Sequence, residues 1–348
     1  MATFGYILAA LFMLGVLIMF HELGHYLAAR WLGIEVKEFA IGMGPKIFSR
    51  KGKQGTLFSL RALPVGGFCL YYGEDQEAEE PRAYNNQPVW KRFLSVLAGP
   101  LMNFLLALVL AVMFFMVWGV ETPVPVIGRV DEGTPAIEAG LLPGDTILAI
   151  DGVPITQIAE ATALVRASEG APLQIAVGRG EEELTFSVTP RFNEQEERYQ
   201  IGIYYATVPD LTPLPLGQAI STSVVFCQRV VAVTYQALAD LIFRGEGTDG
   251  LSGFVGIVNV IQQETRAGGL PVYFQLAILI SINLAFMNLL PVPGLDGSRL
   301  IFNIVEAIRR KPLNRNVEGM IHFFGVVALL GIMLLFTYND ILHIFGVR

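Results

Sequence analysis

Two histidines four residues apart, His21 and His25, enclose a glutamate in the run His21-Glu22-Leu23-Gly24-His25. On a helix such residues share one face a turn apart, so both imidazoles can reach a single ion. Glu22 points in a neighbouring direction, toward a ligand of that ion rather than into its coordination shell. A zinc ion so held lowers the pKa of its water toward about 7, and a carboxylate beside it can take the proton. That is the machinery of peptide hydrolysis.

A catalytic zinc normally has three protein ligands and one open position, so a third ligand must come from elsewhere. Asp296 is the candidate. It closes the segment from Asn288 to Gly297, where Pro291 and Pro293 end a helix and Gly297 allows a tight turn. An isolated Asp-Gly would read instead as a solvated turn or a helix cap. His322 and His343 have no paired spacing and are assigned no role. Cys69 and Cys227 can form neither a disulfide framework nor a structural zinc site, and read as unpaired small hydrophobes.

The elements that must position these residues are membrane helices. Of 348 residues, 53% are hydrophobic and 16% charged, with a mean hydropathy of +0.52, too apolar for an ordinary soluble protein. Four apolar runs can cross a hydrocarbon core: Phe4 to Phe20 with its continuation past the histidines, Phe93 to Val120, Val272 to Leu290, and Met320 to Tyr338. The first run lacks a basic leader and is expected to be retained. Two histidines and a glutamate inside an apolar helix are costly and usually mark a site.

From Glu121 to Leu270 there are 8 Lys plus Arg against 19 Asp plus Glu, whereas basic residues crowd the loops after the first and third runs. Short basic loops stay in the cytoplasm, so both termini and the acidic stretch are expected outside. This places His21 and Asp296 at the same cytoplasmic depth. The net charge of −7 argues against nucleic acid as a partner.

The motif, the run Gly99-Pro100-Leu101-Met102-Asn103 in the second span, and Asn288 through Gly297 together resemble the site-2 protease family, bacterial membrane metalloproteases that cut membrane-anchored regulators such as anti-sigma factors. The resemblance covers nearly the whole chain. It implies one zinc ion on His21, His25 and Asp296, with Glu22 as the catalytic acid and base. Ser298, where many relatives have glycine, is a departure beyond the ligand and is expected to matter little. The substrate implied is a transmembrane segment of a single-span protein, including signal-peptide remnants, at the bacterial cytoplasmic membrane.

A helical substrate shields its peptide bonds, so it must be held extended, and strand addition would do this. Thr56 to Tyr72 resembles the family's membrane-dipping β-hairpin, with Gly67, Phe68, Cys69 and Leu70 as the candidate edge. The resemblance suggests that Asn283 and Asn288 bind substrate backbone and that Asn103, Pro291 and Pro293 steady the site. Hydrogen bonding between helices is the ordinary alternative for such amides.

Short β-rich runs follow: Val126 to Val130, Thr146 to Ile150, Leu173 to Val177 and Leu184 to Val188, with a helix at Ile158 to Ser168. Thr134 to Asp145 resembles the helix and turn of a PDZ domain, a compact sandwich for which a size filter is the favoured role, with capture of freshly cut C-termini or a rigid spacer as alternatives. Leu216 to Phe243 is read as an amphipathic segment rather than a fifth span, because Gln228, Arg229, Gln236 and Asp240 interrupt it. Gly253 to Ile257 resembles a segment near the active-site entrance.

The expected fold is therefore a polytopic α-helical membrane protein with four transmembrane helices, a membrane-associated β-hairpin and an inserted extracytoplasmic PDZ β-sandwich. Its expected parts are residues 1–120 and 271–348 for the membrane core, 121–210 for the PDZ domain and 211–270 for the amphipathic segment. The lipid bilayer is an expected partner. A membrane scaffold with a vestigial metal site is the rival reading, disfavoured by the intact base and ligands. A metal transporter would need several exchangeable sites along a path, and one cluster is visible.

Overall fold

A computed structural model describes residues 2–74, 79–131, 133–180, 182–193, 198–210, 213–245 and 253–344. The chain forms two compact units, Met1–Met116 with Pro215–Arg348, and Val117–Leu214. In chain order the first unit begins with α1 (Ala2–Leu32), β1 (Val36–Lys51), β2 (Leu57–Tyr71) and α2 (Val89–Trp118). The second contains β3 (Val120–Val130), α3 (Pro135–Ala139), β4 (Thr146–Ile150), β5 (Val153–Pro154), α4 (Ile158–Ala167), β6 (Leu173–Arg179), β7 (Glu182–Val188), β8 (Arg191–Asn193), β9 (Arg198–Gln200) and β10 (Ile203–Asp210). The first unit resumes with α5 (Leu216–Arg244), α6 (Phe254–Asn288), α7 (Asp296–Arg309) and α8 (Arg315–Ile344).

The described residues of the first unit hold five helices long and apolar enough to cross a membrane: α1, α2, α5, α6 and α8. Four coincide with the expected spans. The fifth, α5, is the segment read as amphipathic, and its four polar interruptions are spread too thinly over 29 residues to break the helix or its apolar character. By length and composition α5 is thus a further candidate span beside the four expected ones. Within α6, Gly269 takes φ 68° and Pro271 follows it, so the helix kinks just before the expected third span.

Small residues let these helices approach closely. A Cβ added to Gly24 of α1 would collide with the Ala98 carbonyl of α2, and one added to Gly99 would enter the His25 ring. Helix α6 packs on α1 through Ala10, Met13, Leu17, Ile261 and Ala277, and Ser281 donates to the Asn103 carbonyl at 2.9 Å. The Arg92 guanidinium holds Glu306 in a buried two-pronged pair, at 2.6 and 3.1 Å, which fixes α7 to α2.

The structure corrects the expected β-hairpin. The runs on either side of Pro64 do not pair with each other, because β1 lies between them: Phe39 faces Cys69 on one side and Phe58 on the other. Glycines with positive φ, Gly42 and Gly44 in β1 and Gly66 in β2, let the strands bend back. Glu38 locks this arrangement by accepting from Ser59, Arg61 and Lys46 at 2.6, 2.8 and 3.0 Å. Burial pushes the Glu38 carboxyl up, but those three donors outweigh it and hold it down at about 2.

The second unit is a sheet in the order β10-β3-β4-β6-β7, with β5 on β4 and a separate β8-β9 pair. Alternate residues of its strands, Ile127, Ile147, Ile175 and Val177 among them, form one core with Leu141 and Val165. Asp145, fully buried, accepts two bonds from Arg179 at 2.7 Å and the Leu142 N–H at 2.9 Å. The Arg179 guanidinium holds its carboxyl below the usual range. Helix α4 starts on a capping box between Gln157 and Glu160.

Candidate metal centre and active site

The helical period of α1 sets His21 and His25 side by side, with ring centroids 4.8 Å apart and planes at 86°. Asp296 arrives at the first turn of α7, after Pro291 and Pro293 have turned the chain away from α6. Gly297 permits that close return, since a Cβ there would strike the Leu289 and Leu290 carbonyls. His21 Nε2 lies 3.0 Å and His25 Nε2 3.2 Å from Asp296 Oδ2, and the two nitrogens are 3.2 Å apart.

These residues fit a zinc ion. His25 Nδ1 donates to the Ser95 carbonyl at 2.9 Å, which leaves a lone pair on Nε2 facing a carboxylate oxygen. Three acceptors meeting in a buried space repel one another unless a cation lies among them. Tetrahedral zinc ligands at about 2.0–2.1 Å from the metal stand roughly 3.3 Å apart, close to the spacing here, and two imidazoles with a carboxylate are a zinc donor set.

Asn103 completes the surroundings. Its Nδ2 is placed 3.4 Å from His21 Nδ1, while its buried Oδ1 has no partner among the described residues. Exchanging the two amide atoms lets Oδ1 accept the Nδ1–H of His21, the tautomer a metal on Nε2 requires.

A cavity of about 420 Å³ opens on this cluster, with Glu22, Phe68, Cys69, Leu70 and Asn288 in its walls. Gly67 brings β2 against α1: a Cβ there would sit 3.3 Å from Glu22 Cγ and 2.9 Å from the Ala40 carbonyl. Among the described residues, the segment from Gly67 to Tyr71 pairs on one side only, with β1. The cavity therefore joins a carboxylate, a three-acceptor cluster and an open strand edge.

Other expected residues lie apart from it. Asn283 accepts from Thr234 of α5 at 2.7 Å and does not line the cavity, so it links two helices. Asn288 does line it, and donates to the Leu284 carbonyl at 3.0 Å. Pro293 packs under Gly325 of α8, and Ser298 turns its hydroxyl back to the Leu295 carbonyl at 2.8 Å. Gly256, in the segment expected at the entrance, donates its N–H to Asp340 of α8 at 2.7 Å, away from the cavity. Both cysteines are free.

Sequence reasoning missed Glu74, Arg299 and His322, which also line the cavity. Arg299 pairs with Glu74, and its position one turn after Asp296 on the same helix was a usable signal. Glu74 and His322 carried none, because long-range folding alone brings them in.

Apolar membrane-length helices and a His-His-Asp cluster beside a glutamate, with both histidines buried, define a class, the multi-pass membrane metallopeptidases. Residues 9–332 match peptidase family M50. The chain is 32% identical to the regulator of sigma-W protease RasP of Bacillus subtilis, over 97% of this chain and 99% of that one. It is 31% identical to the zinc metalloprotease RasP of Bacillus licheniformis, again over 97% and 99%. Over 24% of its length the chain is similar to the PDZ domain of an SdrC-like protein from Listeria innocua, at 26% identity, covering 92% of that chain with a TM-score of 0.22. The chain belongs to peptidase family M50, the site-2 protease family, and is a zinc metalloprotease of the membrane.

Proposed function

We propose that this protein cuts the transmembrane segments of single-span membrane proteins, using one zinc ion held by His21, His25 and Asp296. The observation that carries the reading is the meeting of those three side chains, from α1 and α7, beside Glu22 and the open edge of β2. When bound, the zinc supplies a Lewis acid for the scissile carbonyl and acidifies water.

The remaining steps belong to the chain. A substrate segment, drawn out of its helix, adds along Gly67 to Leu70, which presents one peptide plane to the cluster. Glu22 takes a proton from the attacking water as the oxygen–carbon bond forms, then delivers it to the leaving nitrogen as the carbon–nitrogen bond breaks. The Ser95 and Asn103 contacts hold the buried His21 and His25 rings in place.

The basic loops support a cytoplasmic-side active site in the bacterial inner membrane, with residues 121–210 outside as a PDZ-type size filter. The name of the Bacillus subtilis relative supports regulators of the anti-sigma class as substrates; signal-peptide remnants share the same single-span chemistry.

The test is cleavage of a purified single-span substrate in detergent. Glu22→Gln is expected to lower kcat by about 10²–10⁴-fold with zinc retained, and Asp296→Ala to lose zinc. Equal cleavage by wild type and Glu22→Gln would sink the mechanism. Full zinc in Asp296→Ala would remove the third ligand.

A further inference from the structure

His322, on α8, lines the same cavity as Glu22 and Asp296. The Gly294 N–H donates to its Nδ1 at 3.4 Å. A backbone N–H can only donate, so Nδ1 accepts and the neutral ring carries its proton on Nε2. That Nε2 is buried and has no partner among the described residues. A donor left in that condition carries a desolvation cost that is recovered when an acceptor reaches it.

The ring is held in place. Phe302 meets it edge-on with centroids 5.5 Å apart. Helix α8 presses on the loop below it so closely that a Cβ on Gly325 would overlap Pro293, and one on Gly294 would lie 3.1 Å from the Val326 nitrogen. A donor positioned this firmly loses little freedom on binding. Arg299 and Asp296 line the same cavity as the ring.

A substrate strand added along β2 turns alternate carbonyls toward β2 and the others away from it. Those turned away need donors too, since an unsatisfied carbonyl at membrane depth is costly. We propose that the Nε2–H of His322 binds a substrate backbone carbonyl, making α8 part of the substrate site. The inference rests on the peptidase reading given above.

The experiment uses full-length protein in detergent carrying Glu22→Gln, so that a fluorescent single-span peptide binds without being cut. Adding His322→Ala or His322→Phe is expected to weaken peptide binding roughly ten-fold with zinc content unchanged. His322→Gln, which can both accept from Gly294 and donate onward, is expected to restore most of the affinity. The Phe variant preserves the ring packing should Ala perturb the fold. Unchanged affinity in the Phe and Ala variants would overturn the proposal, as would loss of zinc in step with loss of binding, which would make His322 a prop for the Asp296 loop. Binding that depends on His322 in a protein whose Glu22 form cuts nothing would instead bring down the peptidase reading and leave the contact standing.

Discussion

His21 and His25 each give one nitrogen to the cluster and the other to a fixed partner, Asn103 and the Ser95 carbonyl. A metal-bound imidazole held in this way keeps its tautomer and orientation at no further entropic cost. Asn103→Leu keeps the volume and removes the acceptor, so zinc affinity is expected to fall about 10–100-fold. Chelator competition measures this, and an unchanged constant would show that Asn103 serves only packing. The missing side chain of Gly67 likewise lets the strand edge approach the Glu22 side chain.

Helices α1 and α2 cross where neither has side-chain bulk to spare. Gly99→Val would push its methyls into the His25 ring, and overpacking of this kind costs about 1–3 kcal/mol. The expected result is a protein that inserts normally but holds little zinc, with Gly99→Ala in between; stoichiometric zinc in the valine variant would refute the close contact. The small β1-β2 sheet has a different dependence. Its Glu38 is held at about 2 against an ordinary 4.5, so the carboxylate stabilises the sheet above pH 4.5 and this contribution is lost as pH falls toward 2. The contribution is at most about 3 kcal/mol. Hydrogen exchange of the β1-β2 amides is expected to rise across that window in wild type and to be nearly flat in Glu38→Gln.

At the scale of the molecule, the second unit leaves and rejoins the chain through paired strands, with Val120 opposite Asp210. Paired residues sit about 4.5–5.5 Å apart, so a tight turn can replace everything between them. Excising the unit is expected to leave zinc content and cleavage of short single-span substrates intact, while substrates with large ectodomains become cleavable. Continued rejection of the large substrates would end the size-filter reading.

The sequence by itself determined what local periodicity carries. The four-residue spacing of His21 and His25, the apolar runs, and the strands at Thr146–Ile150 and Leu173–Arg179 all follow from patterns within a few turns. Asp296 was legible because two prolines and a glycine mark its turn. Only the tertiary structure decided which distant residues share the cavity. It sent Asn283 to Thr234, brought in Glu74, Arg299 and His322, and set β1 between the two halves of β2. These outcomes depend on which surfaces close over one another, through contacts from about twenty to more than two hundred residues apart that no local pattern encodes.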